Sequence, residues 1–121
     1  GMCASKHTDI NDLTLLHAIT PGLQLLYEDQ WVPIVANPDT IIVNTGDMLQ
    51  HLTGGRYKSG FHRVVCEPGV ERISSPFFGH RIASASVVPL THLGESDLTK
   101  YHFETEGEFL NHRLEQIFGK K

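Results

Sequence analysis

Short apolar runs, each closed by a turn signal a few residues on, fill most of this chain and set the limits on its fold. Leu13-Thr14-Leu15-Leu16 stops at Thr20-Pro21-Gly22, and Leu23 to Tyr27 stops at Glu28-Asp29-Gln30. Trp31 to Val35 carries Pro33, which removes a ladder donor and marks an edge or a bulge. Thr40-Ile41-Ile42-Val43-Asn44, rich in β-branched residues, is the strongest strand. Met48 to Thr53, Tyr57 to Cys66, Glu71 to Phe78 and Ser84 to Leu90 read as further extended pieces, with Gly54-Gly55 as a tight hairpin. Such a series favours an all-β sandwich or barrel. Only the tail differs. Thr105 and Glu108 form a capping box, and Phe109, Leu110, Leu114, Ile117 and Phe118 recur at helical spacing. One C-terminal amphipathic helix, over 105–118, is expected to pack outside the sheets.

The length of 121 residues is that of one domain, enough to bury roughly two-thirds of the unfolded surface. A net charge of −4 without any basic stripe argues against nucleic acid as a partner, Lys120-Lys121 being the one adjacent basic pair. No long apolar run or signal peptide points to a membrane or to secretion, so a cytoplasmic, reducing setting is expected. Cys3 and Cys66 are too few for a disulfide framework, and Cys66 reads as a small buried hydrophobe. Gly1 has the look of a tag scar before Met2, which makes 2–121 the expected domain.

Within this scaffold two period-two motifs carry chemistry. In a strand, residues i and i+2 share a face, so His7 and Asp9 of His7-Thr8-Asp9 can present an imidazole and a carboxylate to one point. His62 can complete a three-ligand set of two histidines and one carboxylate, the facial triad that suits non-haem Fe(II). By the same logic Arg72 and Ser74 are aimed together, a guanidinium fork beside a hydroxyl, fit for a carboxylate. Any one of the eight histidines taken alone is more often a surface or core residue. The joint order raises the odds: His7-x-Asp9, fifty-two intervening residues, His62-Arg63-Val64, then Arg72-Ile73-Ser74.

With those motifs in place, the chain resembles the C-terminal catalytic region of the Fe(II)/2-oxoglutarate oxygenase superfamily, in its isopenicillin N synthase-like branch. The likeness extends to Gly22-Leu23-Gln24, Val43-Asn44-Thr45-Gly46-Asp47-Met48 and Gly54-Gly55-Arg56-Tyr57-Lys58-Ser59. It implies a double-stranded β-helix, or jelly roll. It also implies His7, Asp9 and His62 as iron ligands, with Arg72 and Ser74 on the distal carboxylate of 2-oxoglutarate. The implied activity is hydroxylation or oxidation of a small molecule by dioxygen, with decarboxylation of 2-oxoglutarate to succinate; ascorbate is an accessory the resemblance admits. No catalytic residue beyond the ligands is implied, and the substrate stays unnamed.

The chain departs from the branch in having only six residues before His7, where relatives carry helices and a first jelly-roll strand. His7 near a chain end needs that end tied into a sheet. A missing edge strand would leave unpaired backbone groups, which makes a homodimer through an unpaired sheet edge the expected assembly. Two rivals follow: a truncated, inactive jelly-roll module for binding or oligomerisation, and a cupin-type metal site, disfavoured because no His-x-His is present. Trp31, Phe61, Phe77 and Phe78 read as core more readily than as pocket. Arg63, facing away from His62, is expected in an outward salt bridge. Glu104, Glu106 and Glu108 are expected to do no more than favour the last helix's N-terminus through its dipole.

Overall fold

The computed structural model of the chain describes residues 1–119, and Lys120-Lys121 lies outside them. Seven strands form among the described residues, β1 (Met2–His7), β2 (Leu13–Ala18), β3 (Leu23–Tyr27), β4 (Gln30–Pro33), β5 (Ile42–Thr45), β6 (His62–Val65) and β7 (Ser74–Gly79). They pair antiparallel in two sheets of order β1-β6-β3-β4 and β5-β2-β7. The expected all-β jelly roll is thus found. Alternation sends Thr14, Leu16, Ile42, Asn44, Ser74 and Pro76 of one sheet, and Leu23, Leu25, His62 and Val64 of the other, into a shared cavity of about 480 Å³.

Local chemistry explains the turns. The β3–β4 hairpin places Glu28 and Asp29 at φ 48° and 61°, the primed geometry that matches strand twist in two-residue loops. Pro33 ends β4 at a sheet edge, as its missing N–H requires. The chain start is tied down: β1 pairs with β6, and His7 lies opposite His62 in register.

Several expectations need correction. Met48 to Thr53 is no strand; α1 (Asp47–Leu52) is a helix with Thr53 as its C-cap. Its interior Met-Leu-Gln-His-Leu lacks β-branched residues, Asp47 favours the first turn, and Met48 and His51 bury one face. Gly54 and Gly55, at φ 61° and 84°, terminate that helix and make no hairpin. The strands expected from Tyr57 and Glu71 begin later, at His62 and Ser74, so Arg72 precedes β7.

Cys66 is not an unpaired hydrophobe. It is joined to Cys3 in a disulfide with Cα atoms 5.6 Å apart, which links β1 to the residue just after β6. Among the described residues Arg63 makes no salt bridge; its guanidinium lies 4.1 Å from the centroid of the Trp31 ring and donates to Gln24 Oε1 at 2.7 Å.

The closing helix, α2 (Glu106–Phe118), starts as expected, with Thr105 Oγ1 accepting from the Glu108 N–H at 3.2 Å. Its docking differs from expectation. Phe109 packs edge-on against His51 of α1 and Phe103, while Leu114, Ile117 and Phe118 remain exposed. Glu106 does more than complement the dipole: it is buried, accepts from Arg81 Nε at 2.7 Å and adjoins Asp12. His51 is buried with both ring nitrogens used, Nδ1 bonded to the Val87 carbonyl at 2.7 Å and Nε2 accepting from Phe103 N–H at 3.0 Å. Burial, then the nearby His102, hold it below the usual histidine range against the pull of Val87.

Candidate active site

His7 ends β1, Asp9 opens the loop that follows, and His62 opens β6. One ligand atom from each lies within 4.8 Å of the others. Asp9 Oδ1 is 3.7 Å from His7 Nε2 and 3.4 Å from His62 Nε2. The inner ring nitrogens are committed elsewhere: His7 Nδ1 to the Ser5 carbonyl at 2.7 Å, His62 Nδ1 to the Gly60 carbonyl at 3.0 Å. A carbonyl can only accept, so each Nδ1 carries the proton. In the neutral imidazoles each Nε2 is then a lone pair free for a metal, while in protonated His62 it is the N–H that donates to Oδ1.

Asp9 is held from both sides. Its Oδ2 accepts from Thr14 Oγ1 at 2.7 Å and from Asn44 Nδ2 at 2.9 Å, and Asn11 Nδ2 in turn bonds Thr14 and the Leu13 carbonyl. Burial acts to raise the carboxyl pKa. Hydrogen bonds from His62, Asn44 and Thr14 and the His62 charge outweigh it and keep Asp9 well below the usual carboxylate range. His62 is raised in return, chiefly by its hydrogen bond to Asp9, against its own burial. Asp9 is therefore a permanent anion between two imidazoles, a donor set that fits a divalent transition metal.

The loop carrying Asp9 is fixed by the start of α1. The N–H groups of Gly46, Asp47 and Met48 donate to the carbonyls of Asp12, Asp9 and Ile10 at 2.9, 2.8 and 3.0 Å. A Cβ on Gly46 would stand 1.8 Å from the Asn11 carbonyl oxygen, so only glycine fits that approach. Thr8, between the two ligands of the motif, donates to Asp47 Oδ2 at 3.0 Å, and Arg113 of α2 pairs with the same oxygen.

Arg72 and Ser74 line the same cavity as the triad. Arg72 Nη1 donates to Ser74 Oγ at 2.9 Å, while Nε and Nη2 are buried without a partner among the described residues. Two orphan guanidinium donors cost free energy unless an acceptor fills the space, and a bidentate carboxylate is the natural one. The remaining wall is apolar, with Leu16, Leu25, Val64 and Phe78. Among the aromatic candidates, Phe78 lines this cavity, Phe61 borders a different one, and Trp31 and Phe77 line neither. Thr14 and Asn44 were the residues the motif reading missed. The available signal was a polar side chain at an inward position of an otherwise apolar strand.

A family model, the 2OG-Fe(II) oxygenase superfamily, matches residues 2–81. Gibberellin 2-beta-dioxygenase 5 of Oryza sativa subsp. japonica is 35% identical over 120 residues, covering 97% of this chain and 35% of the relative. Leucoanthocyanidin dioxygenase of Perilla frutescens is 44% identical over 81 residues, 55% of this chain and 22% of the relative. Among solved structures, a Caulobacter crescentus protein assigned to the 2OG-Fe(II) oxygenase family superposes with a TM-score of 0.83 at 38% identity, over 94% of this chain and 40% of its own. Full-length Neurospora crassa protein bound to alpha-KG and thymine gives 0.82 at 26%, over 97% and 38%.

This chain belongs to the 2OG-Fe(II) oxygenase superfamily. It spans about a third or less of the length of the first relatives it matches. Among the described residues no helix is long and apolar enough to cross a membrane.

Proposed function

We propose that residues 2–121 form one jelly-roll unit that supplies the catalytic centre of a non-haem Fe(II), 2-oxoglutarate-dependent oxygenase acting on a small molecule. The observation that carries this reading is the His7–Asp9–His62 cluster in a cavity that Arg72 and Ser74 also line. His7 Nε2, Asp9 Oδ1 and His62 Nε2 would hold the iron. Arg72 and Ser74 would hold the far carboxylate of the cosubstrate. Bound together, iron and 2-oxoglutarate supply dioxygen activation, with the cosubstrate giving two electrons as it is decarboxylated to succinate. The chain's own work is to fix the ligand atoms, keep Asp9 ionised, anchor one carboxylate and keep water from the reacting atoms with an apolar wall.

Anaerobic addition of Fe(II) and then 2-oxoglutarate tests this. A visible charge-transfer band is expected, absent in His62→Ala. A folded protein with no band would mean that this chain retains the scaffold without the chemistry.

We also propose a homodimer through a free sheet edge, in a cytoplasmic setting. The chain exposes 8232 Å², against about 6,500 Å² for a compact monomer of 13.5 kDa. The excess is about twice the roughly 800 Å² that each partner gives to a standard interface. Part of it lies on the outer face of the β5-β2-β7 sheet, where Val43, Leu15 and Phe77 form one cross-strand row, 57%, 39% and 65% exposed, beside the edge of β7. Light scattering at low concentration decides it, since a monomeric mass would refute the pairing.

A further inference from the structure

The three candidate ligands are not equally secured. Asp9 is gripped by Thr14, Asn44 and the start of α1. His62 sits on a strand flanked on both sides, by β1 and β3. His7 depends on β1, which pairs with β6 alone among the described residues, through a ladder whose register shifts twice, between Met2 and Ala4 and between Ala4 and His7. Each shift interrupts the hydrogen-bond series. The His7 side chain is 43% exposed, against 14% for His62. What spans this weak ladder is the Cys3–Cys66 cross-link, which joins the two strands four residues out from the paired His7 and His62.

We propose that Cys3 and Cys66 form a redox-reversible clasp that keeps β1 docked on β6 and thereby sets how well His7 is presented to a metal. The metal half of this inference rests on the reading of the site given above. The docking of β1 does not.

Closing the clasp removes two protons and two electrons from two thiols. The electrons pass to a small-molecule disulfide of the glutathione type, which leaves as two thiols after a mixed-disulfide step. A dithiol reverses the exchange. Cys3 is exposed and Cys66 half-buried, so an exchange partner can reach the pair. They are the only cysteines of the sequence, so no third thiol competes for either. In a compartment that keeps thiols reduced, such a pair is open by default and closes on oxidation.

The test compares three metal-free forms: protein oxidised with glutathione disulfide, protein reduced with a dithiol and then freed of it, and the Cys3→Ser/Cys66→Ser double variant. Peptide mapping reports the bond, amide hydrogen exchange reports β1, and a Co(II) titration followed by visible absorption reports the site. The oxidised form is expected to carry the cross-link and to protect the β1 amides. The other two should exchange β1 faster while α1 and β2 stay equally protected. Co(II) should bind the open forms about tenfold more weakly, as when the docked strand is populated in about a tenth of the molecules.

Equal β1 exchange in all three forms, or failure of glutathione disulfide to form the bond in folded protein, would overturn the clasp. So would Co(II) affinities that match in the open and closed forms. Absence of Co(II) binding from all three would strike at the metal reading instead, and the exchange of β1 would still decide the clasp.

Discussion

Asn44 reaches across the cavity from β5 and donates its side-chain N–H to Asp9 Oδ2 at 2.9 Å, leaving Oδ1 as the oxygen that faces both imidazoles. Thr14 makes the second bond to Oδ2 at 2.7 Å. The carboxylate is therefore oriented before any metal arrives, and part of the ordering cost of binding is met by the fold.

Asn44→Ala and Thr14→Val should each weaken Co(II) binding by about 10–100-fold, the usual consequence of losing a group that orients a ligand. Each should also destabilise the metal-free fold by roughly 1–3 kcal/mol, because Asp9 stays buried and ionised with one partner fewer. Absorption titration and urea unfolding measure the two effects separately. Unchanged Co(II) affinity in a folded variant would remove that residue from the site.

Arg72→Ala should separate cosubstrate from metal. Arg72 touches Ser74 and lies in the cavity, but it makes no bond to His7, Asp9 or His62. Fe(II) or Co(II) affinity should stay within about twofold, while 2-oxoglutarate binding weakens by a charge-assisted bidentate contact, about 1.5–3 kcal/mol or roughly 10–150-fold. Calorimetric titration of 2-oxoglutarate into metal-loaded protein reads this directly. Equal loss of both ligands would show Arg72 to be structural.

The site motifs were read from an i, i+2 spacing, although only His7 and Ser74 lie in strands, with Asp9 just after β1 and Arg72 just before β7. Their mutual placement was legible only through resemblance, since no local rule says that β1 pairs with β6. That same long-range pairing hid the disulfide between Cys3 and Cys66. Helix α1 was misread for a different reason. Six residues are too few for periodicity to separate helix from strand, and the hydrogen bonds that favour the helix come from the loop at Asp9 to Asp12. Glu106 was misread because a first-turn acid is ordinarily explained by the dipole, and its partners Arg81 and Asp12 lie far away in sequence.

Gly46→Ala should damage the site without touching a ligand. The new methyl would overlap the Asn11 carbonyl, and the loop holding Asp9 would have to shift off the start of α1. A loss of about 1–3 kcal/mol in stability is expected from the overlap. Co(II) affinity should fall along with it, because Asp9 moves with its loop. Chemical denaturation and absorption titration on one sample provide the check. A stable Gly46→Ala protein with full affinity would show that the loop yields freely.

Glu106 gives the metal-free protein a pH dependence of defined sign. Burial first, then the hydrogen bond and charge of Asp12, raise its carboxyl from 4.5 to about 7, while Arg81 pulls the other way. At pH below 4.5 the group is protonated in both folded and unfolded chains, and its contribution to stability is fully present. As pH climbs from 4.5 to about 7 the unfolded chain releases its proton first, so that contribution is lost, on the order of 3 kcal/mol across the window. His62, also raised, acts in the same direction as it loses its proton. Calorimetric melting of the metal-free protein between about pH 5 and about pH 8 should show the midpoint falling as pH rises. Glu106→Gln keeps the shape and removes the titration, so its midpoint should fall much less over the same range. A Glu106→Gln curve parallel to that of the parent would mean that the buried Arg81–Glu106–Asp12 cluster stays charged throughout, and that the pH dependence arises elsewhere.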